Sequence, residues 1–165
     1  GERACLGATL LFVLIMRRAI QTHKSGHWPE EGAISSITLP LDQRHRRRFR
    51  MTDDDDQVFL LDLPEAILLG DGDGLELEDG GIIRVTAADE AVCDVAGKTP
   101  AHTARLAWHI GNRHTAVQVV DDTTLRILDD HVMAHMLEGL GATVRRVTAP
   151  FSPEPGAYAG HRHDH

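Results

Sequence analysis

Aromatic residues are scarce in this chain: 1 Tyr, 2 Trp and 4 Phe in 165 residues. The ring-rich sheet surface on which single-stranded RNA stacks is therefore not visible. Cysteine is scarcer still. Cys5 and Cys93 alone cannot build the disulfide framework of a small secreted domain. The longest apolar run, Leu10 to Met16, falls far short of the ~20 residues that span a bilayer. Basic charge is also in deficit, with 17 Lys+Arg against 25 Asp+Glu and a net charge of -8. That balance argues against a nucleic-acid binder, which needs a basic footprint. No Gly-rich phosphate loop is present, so the chain is not an NTPase by itself. No Ser or Cys is paired with a convincing base, and catalysis is not expected. Apolar residues at 42% and charged residues at 25% are ordinary for a globular chain. Against this plain background stand 11 histidines. Imidazole in such excess points first to metal. With no span and no disulfide framework, the expected location is the cytoplasm.

The apolar run near the start is not built like a signal peptide. Glu2 offsets Arg3, and Arg17-Arg18 stand where a cleavage site belongs. Residues 1–15 read as a non-native or upstream extension, with Met16 as the working start. Residues 16–90 read as a β-rich domain. Ala33 to Leu39, Val58 to Leu63, Leu75 to Glu78 and Ile82 to Ala88 are strand-like, separated by Gly/Asp turns at 70–74 and 79–81. Short strands with such turns suggest a small sandwich or barrel.

Residues 91–149 change character. Glu90 to Val95 is a strand. Thr99 caps a helix that has Pro100 in its first position and stops at Gly111-Asn112. Ala116 to Val120 and Thr124 to Leu128 form a hairpin around Asp121-Asp122. Asp130 caps a second helix that Gly141 ends, and Ala142 to Val147 is the last strand. The order β-α-β-β-α-β is the split βαβ, or ferredoxin-like, unit. The fold class is thus α+β. Residues 150–165 are rich in Pro, Gly and small residues, then in histidine, and read as a flexible tail.

Four patterns bear on chemistry. His161, His163 and His165 alternate in the tail, and imidazole suits nickel, copper and zinc alike. His131 and His135 stand at i, i+4 on one helix face. That is zinc-protease spacing, but Val132 stands where the general-base Glu is required. A metal-dependent hydrolase using His131 and His135 is the alternative reading. His114 is a lone histidine in a turn, and one imidazole does not define a site. If that turn lies on a two-fold interface, two copies of His114 supply half a coordination sphere. Arg44 to Arg50 carries five arginines and is followed by Asp53 to Asp56, so the charges largely offset. It reads as a charged hairpin edge that blocks strand-to-strand pairing. The Gly70 to Glu76 stretch lacks the oxygen ligand and the glycine that an EF-hand needs at positions five and six. It is a turn.

Several segments together resemble the UreE family of urease accessory nickel metallochaperones. They include Thr38-Leu39-Pro40-Leu41-Asp42-Gln43-Arg44, Gly111-Asn112-Arg113-His114, Asp130-His131-Val132 and Pro150-Phe151-Ser152-Pro153-Glu154-Pro155-Gly156-Ala157-Tyr158. The matching segments fall in order over most of residues 33–160. The resemblance implies a partner-binding N-terminal domain, a ferredoxin-like metal-binding domain and a homodimer. It implies that His114 meets its symmetry mate and binds nickel, with the tail histidines as added ligands. His131 is a possible extra ligand, and zinc or copper can replace nickel in vitro. The implied partners are an accessory GTPase and the urease activation complex, with neither nucleic acid nor membrane. Some relatives carry further histidines where Leu128 and Asp129 stand here, and the chain departs from them at those positions.

Overall fold

The computed structural model describes residues 16–157. The expectations for residues 1–15 and for His161, His163 and His165 lie outside the described residues. The chain divides into two compact units. Among the described residues, one contains residues 16–38 together with Arg46–Thr86, and the other contains Leu39–His45 and residues 87–157.

In the first unit six strands form one mixed sheet. They are β1 (Arg17–His23), β2 (Ser35–Leu39), β3 (His45–Thr52), β4 (Val58–Leu68), β5 (Gly74–Leu77) and β6 (Ile82–Ala87), in the order β2-β6-β5-β1-β4-β3. β1 had no strand signature of its own, because only Ala19 in it is buried. It exists through tertiary pairing, parallel to β4 and antiparallel to β5. β3 is an edge strand, as its arginines suggested. The acidic run beside it does more than offset charge. Asp53 accepts from the Ser35 hydroxyl at 2.7 Å and from the Asp55 and Gln57 N–H groups at 2.9 and 2.8 Å. The Asp54 N–H donates to the Ser36 carbonyl at 2.8 Å. Short polar side chains that satisfy backbone donors make such turns. This one brings the two edges of the sheet together at a corner.

The second unit begins with one helical turn, α1 (Leu41–Arg44), and continues through β7 (Asp89–Ala96), α2 (Pro100–Asn112), β8 (Gln118–Asp121), β9 (Thr124–Leu128), α3 (His131–Gly139) and β10 (Thr143–Pro150). The sheet order is β10-β7-β9-β8, with antiparallel pairs throughout. Period-two alternation places Cys93, Val95, Leu125 and Ile127 on one face. There they pack with Leu106 and Ile110 of α2 and with Met133 and Leu137 of α3. Asp94 and Arg126 alternate with these core residues and so lie on the other face, where Arg126 donates to Asp94 at 2.7 Å. Asp130 caps α3, its carboxylate accepting from the Met133 N–H at 3.0 Å. Asp130→Ala is expected to cost about 1 kcal/mol of stability by urea unfolding, the usual worth of such a cap.

The stretch after β10 departs from expectation. Phe151 is fully buried and Pro153 is buried, and residues 155–157 form a 3-10 turn. Composition alone had read everything beyond Pro150 as tail. Long-range contacts hold this part instead. Arg44, 1% exposed, donates through Nη2 to the Phe151 carbonyl, and the same nitrogen lies 3.9 Å from Glu90 Oε2.

Candidate metal centre

His114 sits where α2 ends. The helix starts as its sequence dictates, with Thr99 Oγ1 accepting from the His102 N–H at 3.0 Å and Pro100 in its first turn. Its end differs from the expected stop at Gly111-Asn112. Both residues are helical, and Arg113 is the C-cap. The His114 N–H donates to the Gly111 carbonyl at 2.9 Å, and the Thr115 N–H to the Ile110 carbonyl at 3.3 Å. These are the two bonds of a Schellman cap, and they place His114 in its left-handed position. Its φ of 57° is a region that glycine enters freely and other residues enter at a cost of order 1–3 kcal/mol. The backbone carries this strain while the imidazole stands exposed, with no hydrogen bond among the described residues. A side chain presented outward on a rigid helix end is free to take a metal ion.

Exposed apolar side chains flank His114 in sequence. Trp108 is 64% exposed, its ring edge-on to His109 at 5.0 Å, and Val119 and Val120 on β8 are exposed as well. Exposed apolar residues of this size mark contact surfaces when they are contiguous.

His131 and His135 line a groove of about 260 Å³ with Ala134, Glu138, Val144 and Arg146. His131 Nδ1 faces Arg146 Nη2 at 3.4 Å, and Arg146 also pairs with Asp129 at 3.2 Å. A guanidinium at that ring nitrogen opposes a dication there. Val132, in the place of a hydrolase's general base, points to solvent at 70% exposure. Among the described residues no group of three or more His, Cys, Asp and Glu could hold a metal. Cys93 adds no thiolate. Burial, then its bond to Asp129, pushes its thiol up from the usual value, which keeps it protonated and unreactive. No helix among the described residues is long and apolar enough to cross a membrane.

Comparison with known proteins identifies the family. The family model for the UreE urease accessory protein N-terminal domain matches residues 16–88, and that for the C-terminal domain matches residues 90–165. The urease accessory protein UreE of Chelativorans sp. (strain BNC1) is 54% identical over 132 residues, covering 80% of this chain and 83% of its own. That of Agrobacterium fabrum is 46% identical over 152 residues, 90% and 93% of the two chains. That of Rhodopseudomonas palustris (strain HaA2) is 47% identical over 144 residues, 87% of this chain and 66% of its own. Two domain models that between them take in nearly all the described residues, with relatives at this identity, leave one conclusion: the chain belongs to the UreE family of urease accessory proteins.

Proposed function

We propose that the chain is a nickel-binding metallochaperone that delivers nickel during assembly of the urease active site, and that it catalyses no reaction itself. The observation that carries this reading is His114, an exposed imidazole held at a positive φ. Glycine would close the same helix without strain, and the strain acquires a purpose if that imidazole is a ligand. Nickel is cargo here. The reading makes the chain a cytoplasmic homodimer in which two copies of His114 meet on the symmetry axis, and exposed Trp108, Val119 and Val120 supply contact surface nearby. The βαββαβ unit is then a ferredoxin-like metal-binding domain spanning about residues 91–149, and the β-rich unit before it contacts partners, an accessory GTPase among them. His161, His163 and His165 complete the coordination, and exchange of these ligands passes the ion to a partner. His131 is at most an auxiliary ligand, because Arg146 competes for its ring nitrogen.

Two measurements test this reading. Analytical ultracentrifugation should find a dimer, and a monomer at every concentration with and without nickel would contradict it. Equilibrium dialysis should find nickel retained at neutral pH and lost as pH falls below about 6.5, the value for a free histidine, because a ligating imidazole must be unprotonated. Retention unchanged down to pH 5 would point to carboxylate ligands instead.

A further inference from the structure

The arginines at 46–50 are followed by the aspartates at 53–56, and by sequence their charges offset. In the folded first unit the two runs do not pair. Asp53 is buried and spent on Ser35, Asp55 and Gln57. Asp54 accepts from the Ser36 and Thr38 hydroxyls at 2.6 and 2.9 Å and from the Thr38 N–H at 3.2 Å. Among the described residues, the one carboxylate that these arginines approach is Asp62 on β4, at 4.0 Å from Arg48 Nε. Asp62 is already held by Arg18 at 2.6 Å. Arg46 lies over the Phe49 ring at 4.4 Å, and Arg47 Nε donates to the Leu63 carbonyl at 3.3 Å. Arg48 and Arg50 stand exposed, and alternation turns them away from the side of buried Met51.

These side chains lie along an open edge. β3 is the terminal strand of its sheet. Beyond its ladder with β4, the backbone of residues 46–50 makes no hydrogen bond among the described residues. Open backbone groups accept an added strand, and the unspent positive charge selects one of opposite sign. A second copy of β3 is rejected, because like charges would stand opposite each other. Nucleic acid and anionic membrane are poor occupants for a chain of net charge -8, and neither brings the backbone groups that complete a ladder.

We propose that the β3 edge docks an acidic, extended segment of a partner protein, which adds to the sheet as a strand and sets its carboxylates against Arg48 and Arg50. This rests on the reading that the β-rich unit contacts partners. It names the surface and the chemistry, and it requires no nickel.

The test is fluorescence anisotropy of the full chain with a labelled peptide of about ten residues that alternates glutamate and threonine, a strand-compatible pattern. The native chain should bind it, and Arg48→Glu/Arg50→Glu should weaken binding about tenfold or more at low salt, since two attractive charges become repulsive. Arg145→Glu, at an exposed arginine on edge strand β10 of the other sheet, should leave binding unchanged. Two further arms use the native chain, so a poorly folding variant does not blunt the test. A peptide of equal charge with proline in place of threonine has lost the N–H groups a ladder needs and should bind several-fold more weakly. Single-stranded DNA of equal charge should bind more weakly than the glutamate–threonine peptide. No binding by the native chain would overturn the proposal. So would equal binding of the proline peptide or of the DNA, because charge alone would then explain the attraction. Equal losses in the β3 and Arg145 variants, or none in either, would overturn the β3 site while leaving partner contact by the β-rich unit standing. A loss confined to Arg145→Glu would put the partner surface on the second unit, and the reading beneath the proposal would itself have failed.

Discussion

His114→Ala is expected to lower nickel affinity by 100-fold or more, on the order of 3 kcal/mol, while leaving the fold intact. Substitutions that only orient a ligand typically cost about 10- to 100-fold in metal affinity. Removing the ligand itself should reach or exceed the upper end, and in a two-fold site one substitution removes two ligands. The fold should not suffer, because the imidazole is exposed and bonds to nothing among the described residues. His114→Gly separates binding from stability more sharply. Glycine at φ 57° relieves the left-handed strain, so this variant should unfold later than His114→Ala by about 1 kcal/mol and bind nickel equally poorly. Isothermal titration and urea unfolding of the two variants check both halves. A His114→Gly chain less stable than His114→Ala would remove the argument from strain.

Arg44→Leu should produce the largest loss of stability, about 3–5 kcal/mol, the usual cost of stripping one partner from a buried charge pair. Arg44 is 1% exposed and serves the Phe151 carbonyl and the Glu90 carboxylate, whose Oε2 also accepts from the Leu41 N–H at 3.0 Å. Leucine leaves that carbonyl without its donor and that carboxylate, 17% exposed, without its cation. At about 2–4 °C per kcal/mol for a chain of this size, the melting temperature should fall by roughly 10 °C. Adding Glu90→Gln removes the orphaned charge and should restore part of the loss. If Arg44→Leu melts within 2 °C of the native chain, the pair does not hold this unit together.

What the sequence discloses about this molecule tracks the range of the interaction responsible. Asp130 and Thr99 were legible as caps because a cap bonds a backbone N–H two or three residues on. The end of α2 was not legible. Gly111 looked like a terminator and lies inside the helix, while the left-handed position went to histidine, which has no such signature. β1 escaped notice because neighbouring strands impose it, without alternation of its own. Arg44 looked like one of five solvated arginines. Its burial depends on a carbonyl 107 residues away, which no local pattern encodes. The ordered stretch after β10 was missed for the same reason, since its Pro-rich composition speaks for loop while the Ser152 N–H reaches Gln118 on β8. His114 stood out in the sequence only through its motif. The structure adds the helix end that presents it.

Native mass spectrometry of the full chain with added nickel tests the shared His114 site most directly. The spectrum should show a dimer carrying a tightly held ion per two chains, and His114→Ala should lose that ion under the same conditions. The His114→Ala dimer retaining nickel as tightly as the native one would contradict the site, and so would one independent ion on each monomer.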